Sequence, residues 1–177
     1  MQFAKDSFYM ALRERLAAIN PSRTVTLSGA TRPAVIVAEN ELVIPVEPLS
    51  DAFYIEWGAA QAVERQTGSR ALTALECEIS YHTLGSCESG VDRGRTLAAL
   101  DTEMMAMCQP PTTEKLDYTQ SPSVDLGTAI MWTQPIFGEV TGSGGPNSAA
   151  LPHRSQGVRL ERKVNVTVFF SPEVNSL

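Results

Sequence analysis

The sequence predicts an α+β domain in which a mixed or antiparallel sheet is packed by two main helices. Two stretches with apolar residues at steps of three and four, and two with strict apolar–polar alternation, carry that prediction. The first helix runs over Asp6 to Ile19, with Phe8, Ala11, Leu12, Leu16 and Ile19 on one face. Asn20-Pro21 ends it, because the residue before proline is pushed out of the helical region. The second helix runs over Val91 to Cys108, with Asp92 as its N-cap and a stripe of Leu97, Leu100, Met104, Met107 and Cys108. Gln109-Pro110-Pro111 stops it. Met104, Met105 and Met107 read as core filling before they read as an adaptable binding groove.

The clearest strand is Leu72 to Tyr81, where Leu75, Cys77, Ile79 and Tyr81 alternate with Glu76, Glu78, Ser80 and His82. The last strand, Leu160 to Phe170, alternates Val164, Val166, Val168 and Phe170 with Lys163, Asn165 and Thr167, and Arg162 falls where it leaves the core. Short strands are expected at Thr24 to Leu27 and Ala34 to Val37, separated by a turn over Ser28 to Pro33. Leu42 to Val46 is an edge strand or a loop, since Pro45 cannot donate to a ladder. Past the second helix, a proline- and threonine-rich connection leads to a strand at Ala129 to Trp132, which Pro135 ends.

Asp51 to Arg70 is the least determined stretch: Ala59 to Gln66 has helical propensity over about two turns, so a short helix and an irregular, partner-contacting segment both fit. Its cluster of Phe53, Tyr54, Ile55 and Trp57 reads first as core, with Tyr54 and Trp57 the candidates for partner contact. Thr141 to Gly157 reads as a flexible or partner-ordered loop, with His153 and Arg154 as its contact candidates. The whole chain, residues 1–177, fits one domain.

Composition narrows the function classes. At 43% apolar and 19% charged, the chain can bury a core and is poor in charge for a monomer's whole surface. The net charge of -6 argues against wrapping nucleic acid, which needs concentrated Lys and Arg, but suits a surface that nucleic acid must pass without sticking. No run of about 18 apolar residues appears, and Met1 to Lys5 lacks the pattern of a secretory leader, so a cytoplasmic start and no membrane are expected. Three cysteines, Cys77, Cys87 and Cys108, read as free thiols.

Catalytic patterns are sparse. Cys77, His82 and Cys87 are the tightest grouping of metal ligands, yet they match no zinc spacing, and the odd separation of Cys77 and His82 puts a buried thiol and an exposed imidazole on opposite strand faces. Gly142-Ser143-Gly144-Gly145 lacks the lysine and following helix of a phosphate loop. Glu76 and Glu78 share a strand face at roughly 6.5 to 7 Å, a spacing that admits glycosidase chemistry. Alternation alone already explains them as a solvated acidic face, and repulsion of a polyanion is the role preferred for it. No catalytic residue, cofactor or metal site is expected.

In the order of its elements the chain resembles the tail terminator proteins of long-tailed bacteriophages. The resemblance runs through the helix around Phe8 to Leu16, the short strand Arg32 to Val37, the strand Leu75 to Tyr81 feeding a helix at Arg95 to Cys108, and the closing strand Leu160 to Phe170. It implies a structural virion protein, a homo-oligomeric ring and most often a hexamer, at the head-proximal end of the tail. Such a ring caps the tube, stops its polymerisation and offers a surface for head attachment. The implied partners are the tail tube protein, the sheath terminus and a neck or connector protein, with DNA passing through the lumen; assembly takes place in the host cytoplasm. A head–tail connector is the neighbouring alternative, a small carboxylate-dependent hydrolase a distant one, and a binding module using Tyr54 to Trp57 a third.

Overall fold

The computed structural model describes residues 1–40, 48–63, 71–85, 91–143 and 159–172. Strand β10, Arg159–Phe170, lies at the centre and pairs antiparallel along nearly its whole length with β5, Leu72–Thr83, from Leu160 opposite Thr83 to Phe170 opposite Thr73. The two alternating sequences are therefore in phase: Leu75, Cys77, Ile79 and Tyr81 share a face with Val164, Val166, Val168 and Phe170, and all are buried.

Strand β4, Phe53–Val63, pairs antiparallel with the far side of β5, and the short β3, Val35–Val37, runs parallel to the first three residues of β4. On the other side of β10, β7, Val124–Trp132, joins only through Met131 and Trp132 and carries β6, Thr112–Asp117, beyond it. Two short strands, β8, Ile136–Phe137, and β9, Thr141–Ser143, line the remainder of that side. Apart from this mixed sheet, β1, Thr24–Leu27, and β2, Ala30–Pro33, form a hairpin across Ser28 and Gly29, whose φ of 49° and 81° give the left-handed pair that matches strand twist.

Both helices cover one face of the sheet. Helix α1, Gln2–Ile19, buries Ala4, Phe8, Ala11, Leu12 and Leu16; helix α2, Asp92–Met107, buries Leu97, Leu100, Met104 and Met107. Phe8 meets two indoles edge-on, Trp57 at 5.8 Å and Trp132 at 5.1 Å, and so bridges both halves of the sheet. Polar ties fix the helices at the corners. Glu103 of α2 accepts hydrogen bonds from Asn20 Nδ2 at 2.7 Å and from Arg23, and its pair with Arg23 is mostly buried. Arg162 sits in the inward register of β10, and its charge is met by Asp101 of α2 at 2.8 Å, which also accepts the Tyr81 hydroxyl at 2.5 Å.

Helix α1 also seals the β6 edge. The Leu116 amide donates to Ser7 Oγ at 2.9 Å, and the Arg15 guanidinium donates to the carbonyls of Thr112 at 2.9 Å, Pro110 at 2.7 Å and Met107 at 3.0 Å while lying over the Trp132 ring. Two side chains thus satisfy backbone groups that a neighbouring strand would otherwise meet.

Several expectations need correction. Ala59 to Val63 is strand, not helix, because β5 supplies a ladder that outweighs a short stretch's propensity. The connection after α2 contains β6, whose inward residues are Lys115 and Asp117. The turn expected over Ser28 to Pro33 shrinks to two residues, with β2 following. Thr141 to Ser143 is β9, not loop; residues 144–158 and the segment Leu42 to Val46 lie outside the described residues. Asp92 is the first helical residue rather than the cap, which is Val91, and Ile19 is 44% exposed.

Candidate functional site

The sheet face opposite the helices is open and acidic. Register brings Tyr54 and Glu56 of β4 level with Ser80 and Glu78 of β5, and these with Lys163 and Asn165 of β10; Gly58 lies against Glu76, which is level with Thr167. Glu56 therefore stands directly across from Glu78, an unfavourable like-charge pair, with Glu76 one step along. Lys163 Nζ lies 2.6 Å from Glu78 Oε1, and that hydrogen bond raises the lysine pKa above its ordinary value. With the lysine side chain 57% exposed, the pair offsets little of the repulsion.

A cleft of about 510 Å³ follows this row, bounded by β4, β5 and β10 and lined by Glu56, Gly58, Glu76, Glu78, Asn165 and Thr167. Gly58 keeps it open: a Cβ there would lie 3.0 Å from Glu76 Cβ and 3.3 Å from Glu76 Oε2. The β4–β5 register also shifts between Trp57 and Ala60, a bulge beside the same glycine.

The two acidic candidates, Glu76 and Glu78, sit on this face as alternation expects. Tyr54 and Trp57 do not act together. Tyr54 is 8% exposed, and its hydroxyl accepts the Leu49 amide at 2.6 Å. Trp57 points to the helix side, half-buried against Phe8 with Lys5 Nζ 5.4 Å above its ring, and its Nε1 finds no hydrogen-bond partner among the described residues. His153 and Arg154 lie outside the described residues.

His82 was expected to be solvated and is instead 6% exposed. It lies in a smaller hollow of about 130 Å³ with Tyr54, Ser80, Arg159 and Glu161, where burial and then the nearby Arg159 charge lower its pKa. Cys77 and Cys108 are free and buried; desolvation raises both thiols, Cys108 to about 12, which keeps them from acting as thiolates. Among the described residues no group of three His, Cys, Asp or Glu is placed to hold a metal ion, and Cys87 lies outside them. Among the described residues no helix is long and apolar enough to cross a membrane.

Sequence reasoning missed Glu56, the third carboxylate of the row. Its signal was masked because only the first half of β4 has an apolar pattern; Gly58 to Val63 is exposed throughout. The chain matches no protein-family model and no curated protein sequence.

Proposed function

We propose that the chain is a structural ring subunit that caps the tail tube of a long-tailed bacteriophage, stops tube growth and presents the surface to which the head attaches. One observation supports this reading most: helices cover one sheet face while the other is open and bears Glu56, Glu76 and Glu78 against Lys163. Copies arranged around a closed rotation would each turn that face to the axis. A lumen lined by fixed carboxylates lets DNA slide with little adhesion, whereas a basic lining would hold it. The element order of the sequence adds the tail-terminator resemblance, and with it a tube partner below and a neck or connector partner above.

The test is tube assembly. Tube subunits of the same virus polymerising in the presence of the purified chain should stop at short lengths, with a ring at one end under negative stain. Tubes of unrestricted length, or rings bound to the portal rather than the tube, would remove the terminator reading, the latter in favour of a connector. The acidic cleft gives one observation for a second reading, carboxylate-dependent hydrolysis. Turnover of a glycan substrate that is lost in E76Q/E78Q with folding intact would favour that reading instead.

A further inference from the structure

Among the described residues, the sheet's two edges are each closed over part of their length and without a strand partner over the rest. On one edge, β3 covers only Phe53 to Ile55 of β4, and among the described residues no strand pairs with the outer side of Gly58 to Val63. On the other edge, α1 seals β6, but the outer sides of β8 and β9 have no strand partner among the described residues. Open stretches of this kind leave backbone N–H and C=O groups ready to template another strand.

Natural sheets blunt such edges with lysine, proline or inward charge. Gly58-Ala59-Ala60-Gln61-Ala62-Val63 carries none of these, and its small side chains permit close approach of another backbone. The opposite stretch exposes Ile136 at 66% and, between β8 and β9, Val140 at 46%, beside Pro135, Glu139 and the polar Thr141-Gly142-Ser143; Val63 on β4 is 37% exposed. Among the described residues each chain therefore carries two different edge stretches without a strand partner, on opposite sides of one sheet, each with exposed apolar side chains.

We infer that these stretches are the two halves of one interface, and that the occupant of each is a second copy of this chain: the β4 edge of one copy pairs with the β8–β9 edge of the next. Such a contact is heterologous, so it propagates from copy to copy and closes only as a ring. The open stretches lie at opposite ends of β10, since β4 beyond Trp57 is level with the end of β10 through β5, and β9 pairs with its start. Joining them staggers neighbouring sheets along the strand direction, as strands must be staggered for a sheet to close on itself. The pairing also places every copy's acidic face on the same side of the joined sheet. The inference rests on the ring reading for its polarity, because a cap with unlike neighbours above and below cannot contain a two-fold axis in its plane.

The experiment uses the full chain, native mass spectrometry and circular dichroism. A60K/A62K places charge on the β4 edge, and I136E/V140E places opposite charge on the β8–β9 edge. Each variant alone should lose the oligomer and stay folded, and an equimolar mixture should regain it, because alternating copies bring lysine to glutamate at one contact and unaltered edges together at the next. Q61K and V140E supply the same arms with smaller perturbation should either double variant unfold. An oligomer that survives the substitutions, a mixture that stays dissociated, or an unaltered chain that is monomeric at every concentration would each overturn the inference. If the mixture reassembles but tubes grow unchecked, the interface stands and the tube-capping reading fails. If tubes are capped by rings indifferent to the substitutions, the reverse holds.

Discussion

The two edges of the sheet differ in how their backbone groups are satisfied. At β6, Ser7 and Arg15 of α1 reach across and occupy the Leu116 amide and the Thr112 carbonyl. At β4, strand pairing on the outer side stops with β3 among the described residues, and the strand continues through six exposed residues from Gly58 to Val63. Closing an edge uses a helix and two committed side chains, and among the described residues nothing comparable lies along the end of β4, which is the contrast the proposed pairing rests on. The difference teaches that the two edges are handled unlike one another: the Gly58 to Val63 segment carries no lysine, proline or carboxylate that would resist strand pairing.

The comparison breaks most easily at the residue that seats α1. Replacing Phe8 with alanine empties the space between Trp57 and Trp132 and should cost about 3–5 kcal/mol, read from urea unfolding at unchanged slope. Arg15→Ala removes three carbonyl partners and the stack on Trp132 and should cost about 2 kcal/mol in the same assay. It should also unseal the β6 edge, so aggregation on warming should accompany the loss. Ser7→Ala leaves the half-buried Leu116 amide without this partner and should cost about 1 kcal/mol.

A smaller effect separates the dry, paired start of β4 from its bare end. His82, whose carbonyl accepts the Asp51 amide at 2.8 Å just ahead of β4, has a folded pKa below its ordinary 6.5. The unfolded chain therefore binds more protons as pH falls below about 6.5, so stability should be level above that value and decline beneath it. His82→Gln should flatten that part of the pH profile. The smallest effect on stability belongs to the open stretch: at a dilution where both chains are monomeric, A60K/A62K should change unfolding free energy by no more than about 0.5 kcal/mol, since both alanines are exposed. That near-zero cost, set against lost self-association, is the sharpest form of the contrast.

How much of this was legible in the sequence follows from where burial imposes a period. The alternation in β5 and β10 is clean because one face of each packs on helices, and the helical stripes of α1 and α2 are legible for the same reason. Strand β6 has no such signal, because its inward residues are Lys115, which donates to the Ser171 carbonyl at 3.0 Å, and Asp117, which accepts from Thr119. The second half of β4 is exposed on both faces, so its alanines showed only their helical propensity. The acidic face was half legible: Glu76 and Glu78 share a strand and could be found by period, whereas Glu56 joins them through a cross-strand register that no local pattern encodes. His82 misled because alternation assigns a face and not its burial, and the hollow beside Arg159 and Glu161 is made by β10.

Backbone hydrogen exchange compared between dilute and concentrated chain tests the central claim most directly, because it reads both edges in one sample. The outward amides of Gly58 to Val63 should exchange quickly when dilute and slow markedly on self-association, while the Leu116 amide, already held by Ser7, should be protected in both conditions. Equal exchange of Gly58 to Val63 at all concentrations, or a Leu116 amide as fast as they are, would contradict an account in which one edge is closed from within and the other is completed by a neighbouring copy.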